Sequence, residues 1–254
     1  MRRGRITYVG HATTLIELDG AVLLTDPLLR DRIGHVRRIV PPGAALPLLD
    51  AVLISHAHRD HLDLPSLRRL PDAVRVYAPP AAAAVVRRAG RPVQALLPGD
   101  RVHVGEVEVL AVPALHDGRR VPVGADRKAI GFVISGSASV YFAGDTDLFA
   151  GMTELAGGVD TALLPVWGWG PKLGPGHMDP ERAARAAALL APRAAIPIHW
   201  GTYATPGAWW RDDPELPARE FARLAAVHAP GVAVRILSPG RSAPLRPAEP
   251  AARR

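Results

Sequence analysis

The sequence predicts an α/β fold in which two mixed β-sheets form a sandwich with helices on the outside. Two observations carry that prediction. Short runs rich in Val, Ile and Leu alternate with stretches of helical pattern. Three of the apolar runs end in a histidine or a histidine cluster. At 254 residues and 48% hydrophobic content the chain can bury a large core, read as one domain over residues 1–245. The Pro- and Ala-rich tail, 246–254, is expected to be disordered.

In order, residues 5–9 and 14–18 read as strands, Asp19-Gly20 as a hairpin turn, and 21–25 as a buried strand stopping at Asp26-Pro27. His11 lies in the first connection, where it either lines a site or bonds loop backbone. Residues 28–49 contain Gly34, Pro41, Pro42, Gly43 and Pro47, which predicts a long loop and a candidate lid. After the strand at 51–54, Asp63 is placed to cap a helix with Pro65 in its first turn and Leu67 and Leu70 on one face. A strand at 74–78 and an Ala-rich helix at 81–89, stopped by Gly90, complete the first half.

The second half opens with a hairpin, 101–104 and 106–112 around Gly105, that ends in Pro-Ala-Leu-His116. A polar loop over 117–129 precedes strands at 129–135 and 139–143; Asp145 follows the second, and Asp147 reads as a helix cap. The apolar strand at 159–166 runs into a Trp- and Gly-rich stretch that cannot be regular structure. Trp167 and Trp169 there either wall a substrate pocket or pack beneath a loop. His177 precedes a helix that Asp179 caps, with Pro180 first and Glu181 in its first turn, extending to Leu190. Then come a strand at 194–198 ending in His199, a helix at 214–227, a last strand at 232–237 and a turn at Ser238-Pro239-Gly240.

The chemistry concentrates after the strand at 51–54, in Ser-His-Ala-His-Arg-Asp-His-Leu-Asp. In extended chain alternate side chains share a face, so His56 and His58 point together and suit one metal ion. Asp60 and His61 follow at the turn, within reach of a second. With no cysteine in the chain, any metal is held by His and carboxylate, and no disulfide forms.

This HxHxDH pattern resembles the metallo-β-lactamase superfamily. The likeness runs from Gly10 to Gly240 and is nearest to the branch of N-acyl-phosphatidylethanolamine phospholipase D and L-ascorbate-6-phosphate lactonase. The residues that carry it are Gly-His-Ala-Thr-Thr-Leu-Ile-Glu, Leu-Thr-Asp-Pro, the histidine cluster, Pro-Ala-Leu-His, His-Met-Asp-Pro-Glu and Ile-His-Trp-Gly-Thr. The resemblance implies a four-layer αββα sandwich. It also implies that His56, His58 and His116 hold one divalent ion, that Asp60, His61 and His199 hold the other, and that Asp145 bridges them. Asp26 and His11 would stand behind the ligands and orient them. Zinc is the default metal, and manganese, iron or nickel tolerate the same ligands.

The activity so implied is hydrolysis of a phosphodiester or of a lactone or other carboxylic ester by a metal-bridging hydroxide. Asp60, doubling as a ligand, and His177, as acid or oxyanion partner, are the candidate catalytic residues. The alternatives are a nuclease of the same fold and a non-catalytic, metal-stabilised binding protein. Residues 167–176 follow neither named enzyme closely, so the substrate does not transfer.

The net charge of +7 comes almost wholly from arginines scattered without a basic run, which weighs against nucleic acid and suits a small anionic substrate. No apolar run is long enough to span a bilayer, and the expectation is a cytoplasmic protein, with homo-oligomerisation compatible. His35, His103 and His228 fall outside every motif.

Overall fold

The computed structural model describes residues 4–41, 45–118, 128–168, 173–208 and 213–245. Trp169, most of the polar loop after Asp117, and the tail from 246 lie outside the described residues. In the first half the strands are β1 (Arg5–Gly10), β2 (Thr13–Leu18), β3 (Ala21–Thr25), β4 (Arg32–Ile33), β5 (Val36–Arg38), β6 (Ala51–Leu53), β7 (Arg75–Ala78) and β8 (Gln94–Ala95). Helices α1 (Leu64–Leu67) and α2 (Pro80–Arg88) flank β7. The second half holds β9 (Arg101–Val104), β10 (Val107–Asp117), β11 (Lys128–Ser135), β12 (Ser139–Phe142), β13 (Thr161–Pro165), β14 (Ala194–Ile198), β15 (Tyr203–Ala204), β16 (Ala233–Val234) and β17 (Arg241–Pro244). Its helices are α3 (Pro180–Leu190) and α4 (Leu216–His228), with a 3-10 turn at Ala150–Leu155.

Two seven-stranded sheets result, in the orders β17-β1-β2-β3-β6-β7-β8 and β16-β14-β13-β12-β11-β10-β9. Each is mixed: β1, β2 and β3 are antiparallel and β3, β6 and β7 parallel, while β9 to β12 are antiparallel and β12, β13 and β14 parallel. Alternation along the strands divides the apolar residues between layers. Ile6, Tyr8, Ile16 and Leu23 meet Val107, Phe132 and Phe142 in the main core. Val9, Leu15, Leu24 and Val52 turn the other way, onto Leu67, Ala82 and Val86 of α1 and α2. On the far side Ala183, Ala187, Phe221 and Ala225 place α3 and α4 against the second sheet. This is the αββα sandwich that the sequence predicts.

Several elements differ from the prediction. Residues 28–49 are not one loop: Gly34, at φ 56°, turns β4 back onto β5, and β5 pairs with β15 from the far end of the chain. That long-range pairing stabilises strands too short to be seen in sequence. β10 runs on to Asp117, so His116 lies within a strand and not beyond its end. Asp147 caps no helix; its carboxylate takes its neighbour's Leu148 N–H and pairs with Arg182. Only Ala233–Val234 of the predicted last strand is a strand, because among the described residues it pairs only with the start of β14. β17, read as chain beyond a turn, instead closes the first sheet against β1. The helix at 63–70 shortens to one turn, with Asp63 accepting from Ser66 N–H as its cap.

The two halves are tied directly beneath the strand ends. Tyr8, fully buried on β1, donates its hydroxyl proton to the Trp200 carbonyl at 2.6 Å and stacks on the Trp200 ring. Replacing Tyr8 by Phe keeps the stacking and removes the bond. It is expected to cost about 1 kcal/mol, a fall in Tm of about 2–4 °C measured by calorimetry on the metal-free protein.

Candidate metal centre

The predicted site residues arrive from six connections and converge at one end of the sandwich. His56, His58, Asp60 and His61 follow β6; Asp26 ends β3, Asp145 follows β12, and His199 follows β14. The ring nitrogens of His56 (Nε2) and His116 (Nε2) lie 3.0 and 3.1 Å from Nδ1 of His58. Beside them, His61 Nε2 stands 3.2 Å from His199 Nε2 and 3.5 Å from Asp60 Oδ2. Asp145 touches both groups, its Oδ2 at 3.1 Å from His61 Nε2 and 3.9 Å from His56 Nε2, its Oδ1 at 3.4 Å from His199 Nε2.

The far side of each ring shows which nitrogen is bare. His61 Nδ1 donates to Asp26 Oδ2 at 2.7 Å, His116 Nδ1 to the Gly176 carbonyl at 2.8 Å, and His199 Nδ1 to the Trp167 carbonyl at 2.9 Å. Carbonyls and carboxylates only accept, so each of these rings carries its proton on Nδ1. The Ser55 hydroxyl gives its proton to Asp26, so His56 Nδ1 must donate to Ser55 Oγ. The Nε2 lone pairs of His56, His116 and His199 therefore face inward, and His61 presents its Nε2 to the same space. Ring nitrogens thus face one another across the cluster at 3.0–3.2 Å. Tetrahedral zinc with bonds of about 2.0–2.1 Å sets its ligand nitrogens about 3.3 Å apart, so the donors fit a metal.

Charge leads to the same conclusion. Asp26, Asp60 and Asp145 are buried or nearly so, and among the described residues no arginine or lysine contacts them. Among the described residues Asp145 Oδ1 has no hydrogen-bond partner. Burial pushes Asp26 upward, whereas in Asp60 and Asp145 the surrounding imidazoles overcome burial and hold the carboxyls well below their usual range. Burial opposes a charge on His61, yet Asp145, Asp60 and Asp26 together hold it well above its ordinary value. Burial keeps His56 well below, and takes His116 down to about 4.

Local backbone is bent to this end. His11, Asp26 and His199 adopt φ of 56°, 33° and 66°, strained values for side-chain-bearing residues. His199 N–H donates to the His11 carbonyl at 2.7 Å, and the His11 ring, 3.8 Å from that of His199, reaches Asp60 Oδ2 at 3.0 Å. Before Asp145, Gly144 has φ +59°, and a Cβ there would lie 2.5 Å from Ser55 Cβ, which no side chain tolerates. Leu115 N–H donates to Thr146 Oγ1 and Asp147 N–H to the Leu115 carbonyl, locking Asp145 beside His116.

His177 Nε2 lies 3.5 Å from Asp145 Oδ2, with Nδ1 donating to the Gly174 carbonyl. Burial opposes its charge, but the bond to Asp145 raises it above the ordinary histidine value. Trp167 packs on the main core and presents its carbonyl, not its ring, to His199. Sequence reasoning missed Ser55 and Thr202, whose Oγ1 accepts from His11 N–H at 2.8 Å. Both sit inside the quoted motifs, where a serine and a threonine beside histidines were the available signal. The carbonyls of Trp167 and Gly176 had none. His35, His103 and His228 are exposed, away from the site.

Two mixed sheets between helices, with His and Asp gathered at the strand ends, define a metal-dependent hydrolase of the metallo-β-lactamase fold. The sequence model of the family described as "Beta-lactamase superfamily domain" matches residues 22–200, and the chain belongs to that family. A UPF0173 metal-dependent hydrolase of Methanopyrus kandleri is 35% identical over 246 residues, 94% of this chain and 98% of that protein. An N-acyl-phosphatidylethanolamine-hydrolyzing phospholipase D of Caenorhabditis elegans is 28% identical, over 78% of this chain and 64% of that protein. Among solved structures, the metallo hydrolase Igni18 of Ignicoccus hospitalis superposes with a TM-score of 0.71 at 23% identity, covering 96% of this chain and 98% of its own. Among the described residues no helix is long and apolar enough to cross a membrane.

Stability of the metal-free chain is expected to depend on pH. His11, held at about 3 by burial and by His199, and His116, at about 4, stay neutral where their unfolded counterparts take up protons. His56 and His58 are lowered as well, and only His61 and His177 are raised. The unfolded chain therefore binds more protons on the acid side, and stability should fall as pH drops below about 6.5. Urea denaturation in EDTA at pH 7 and pH 5 measures this; a midpoint unchanged or higher at pH 5 would contradict it.

Proposed function

We propose that the chain is a two-ion hydrolase. His56, His58 and His116 hold one divalent cation, Asp60, His61 and His199 the other, and Asp145 lies between them. The observation that supports this is the inward convergence of bare imidazole nitrogens and carboxylates in two adjoining groups, with Asp145 in contact with both. Zinc is the first choice of metal, with manganese, iron or nickel compatible. When bound, such ions lower the pKa of a shared water toward neutrality and stabilise negative charge on the group attacked.

The remaining work falls to the protein. Asp26 accepts from Ser55 N–H, Ser55 Oγ–H and His61 Nδ1–H, which fixes the His61 ring. His11 Nε2–H orients the Asp60 carboxylate, which remains 15% exposed and so faces the open side of the cluster. His177, a quarter exposed beside Asp145, is the group that holds a proton on Nε2 for the leaving oxygen. The substrate is a phosphodiester before a lactone or other carboxylic ester. The named activity of the Caenorhabditis elegans relative favours the phosphodiester, and the net charge of +7 suits an anion.

Elemental analysis of the reconstituted protein should find about two ions per chain. Bis(p-nitrophenyl) phosphate should be hydrolysed faster than a simple lactone, and a His58→Ala/Asp145→Ala double variant should lose both metal and turnover. Absence of bound metal after reconstitution would overturn the reading, and faster lactone cleavage would reverse the choice of substrate.

A further inference from the structure

The chain between β13 and α3 leaves the core at Val166, whose N–H bonds the Ile198 carbonyl, and re-enters it at the fully buried Met178. At its first residue the Trp167 carbonyl takes the Nδ1–H of His199. Near its last the Gly176 carbonyl takes the Nδ1–H of His116. One connection thus fixes one ring in each of the two donor groups, and its next residue, His177, is delivered beside Asp145 and edge-on to His116 at 4.7 Å between ring centres.

Gly176 makes this approach possible. It has φ +82°, and a Cβ on it would lie 3.0 Å from His116 Nδ1, 3.2 Å from His116 Cα and 3.3 Å from the Leu115 carbonyl. Their retreat is opposed: the Leu115 carbonyl already accepts from Asp147 N–H, and His116 lies in β10 between the paired residues Pro113 and Asp117. We infer that Gly176 is a positioning residue for the cation site formed by His56, His58 and His116: its carbonyl sets the tautomer and rotation of the His116 ring, and only glycine lets that carbonyl approach. The inference rests on the two-ion reading above.

Cobalt titration, followed by visible absorption, tests it on the full chain. Wild type should show two binding events. Gly176→Ala should weaken one of them by about 10- to 100-fold and alter its cobalt spectrum, leaving the other as in wild type. Gly90→Ala is the control for backbone strain alone, since Gly90 has the same φ of +82° with nothing within 4 Å. It should bind cobalt as wild type does. Two wild-type-like events in Gly176→Ala would overturn the inference while leaving the two-ion reading intact; no binding by wild type itself would overturn both. Should Gly176→Ala fail to fold, nitrogen-15 spectra of zinc-loaded wild type decide. His116 should appear as the Nδ1–H tautomer with slow exchange of that proton, and fast exchange, or the proton on Nε2, would reject the role.

Discussion

Three carboxylates, the buried Asp26 and Asp145 and the partly exposed Asp60, gather at one end of the sandwich with no arginine or lysine among the described residues against them. Carboxylates gathered so closely without a lysine or arginine are a costly arrangement for a fold. Everything around them answers that cost. Imidazoles surround the oxygens, those of His61, His116 and His199 each held by an acceptor behind the ring, and their inward nitrogens suit a cation supplied from outside the protein. The cluster therefore makes sense as a receptor for cations and poor sense as a structural polar core.

That constraint also accounts for the backbone. Left-handed conformations at His11, Asp26 and His199 are unfavourable by about 1 kcal/mol or more each, and they persist because both sheets determine them. Tyr8 clamps the residue after His199, the His199 amide holds the His11 carbonyl, and Thr202 holds the His11 amide. The site is thus the seam between the two halves, and stability and function share the same bonds.

The residues that the structure gathers into the cluster were legible as candidates because they lie in short motifs at or near the ends of apolar strands, where alternation and a turn restrict how side chains can point. Asp26 was legible only through resemblance, since Thr-Asp-Pro alone is an ordinary turn. Elements that depend on distant partners were not legible. β4 and β5 have too few residues to show a period, and β17 exists because β1 offers it an edge.

By itself, then, the sequence determined the α/β class and the order of most strands and helices, because these follow from local periodicity, and it singled out the His and Asp residues that the structure brings together. Tertiary structure alone decided which nitrogen of each ring faces inward. That choice belongs to the atom behind the ring: a carboxylate on β3 for His61, a serine hydroxyl for His56, and two backbone carbonyls of one connection for His116 and His199. A backbone carbonyl is the same in every residue, so no pattern in the sequence announces it; only the folded chain brings it within hydrogen-bonding distance.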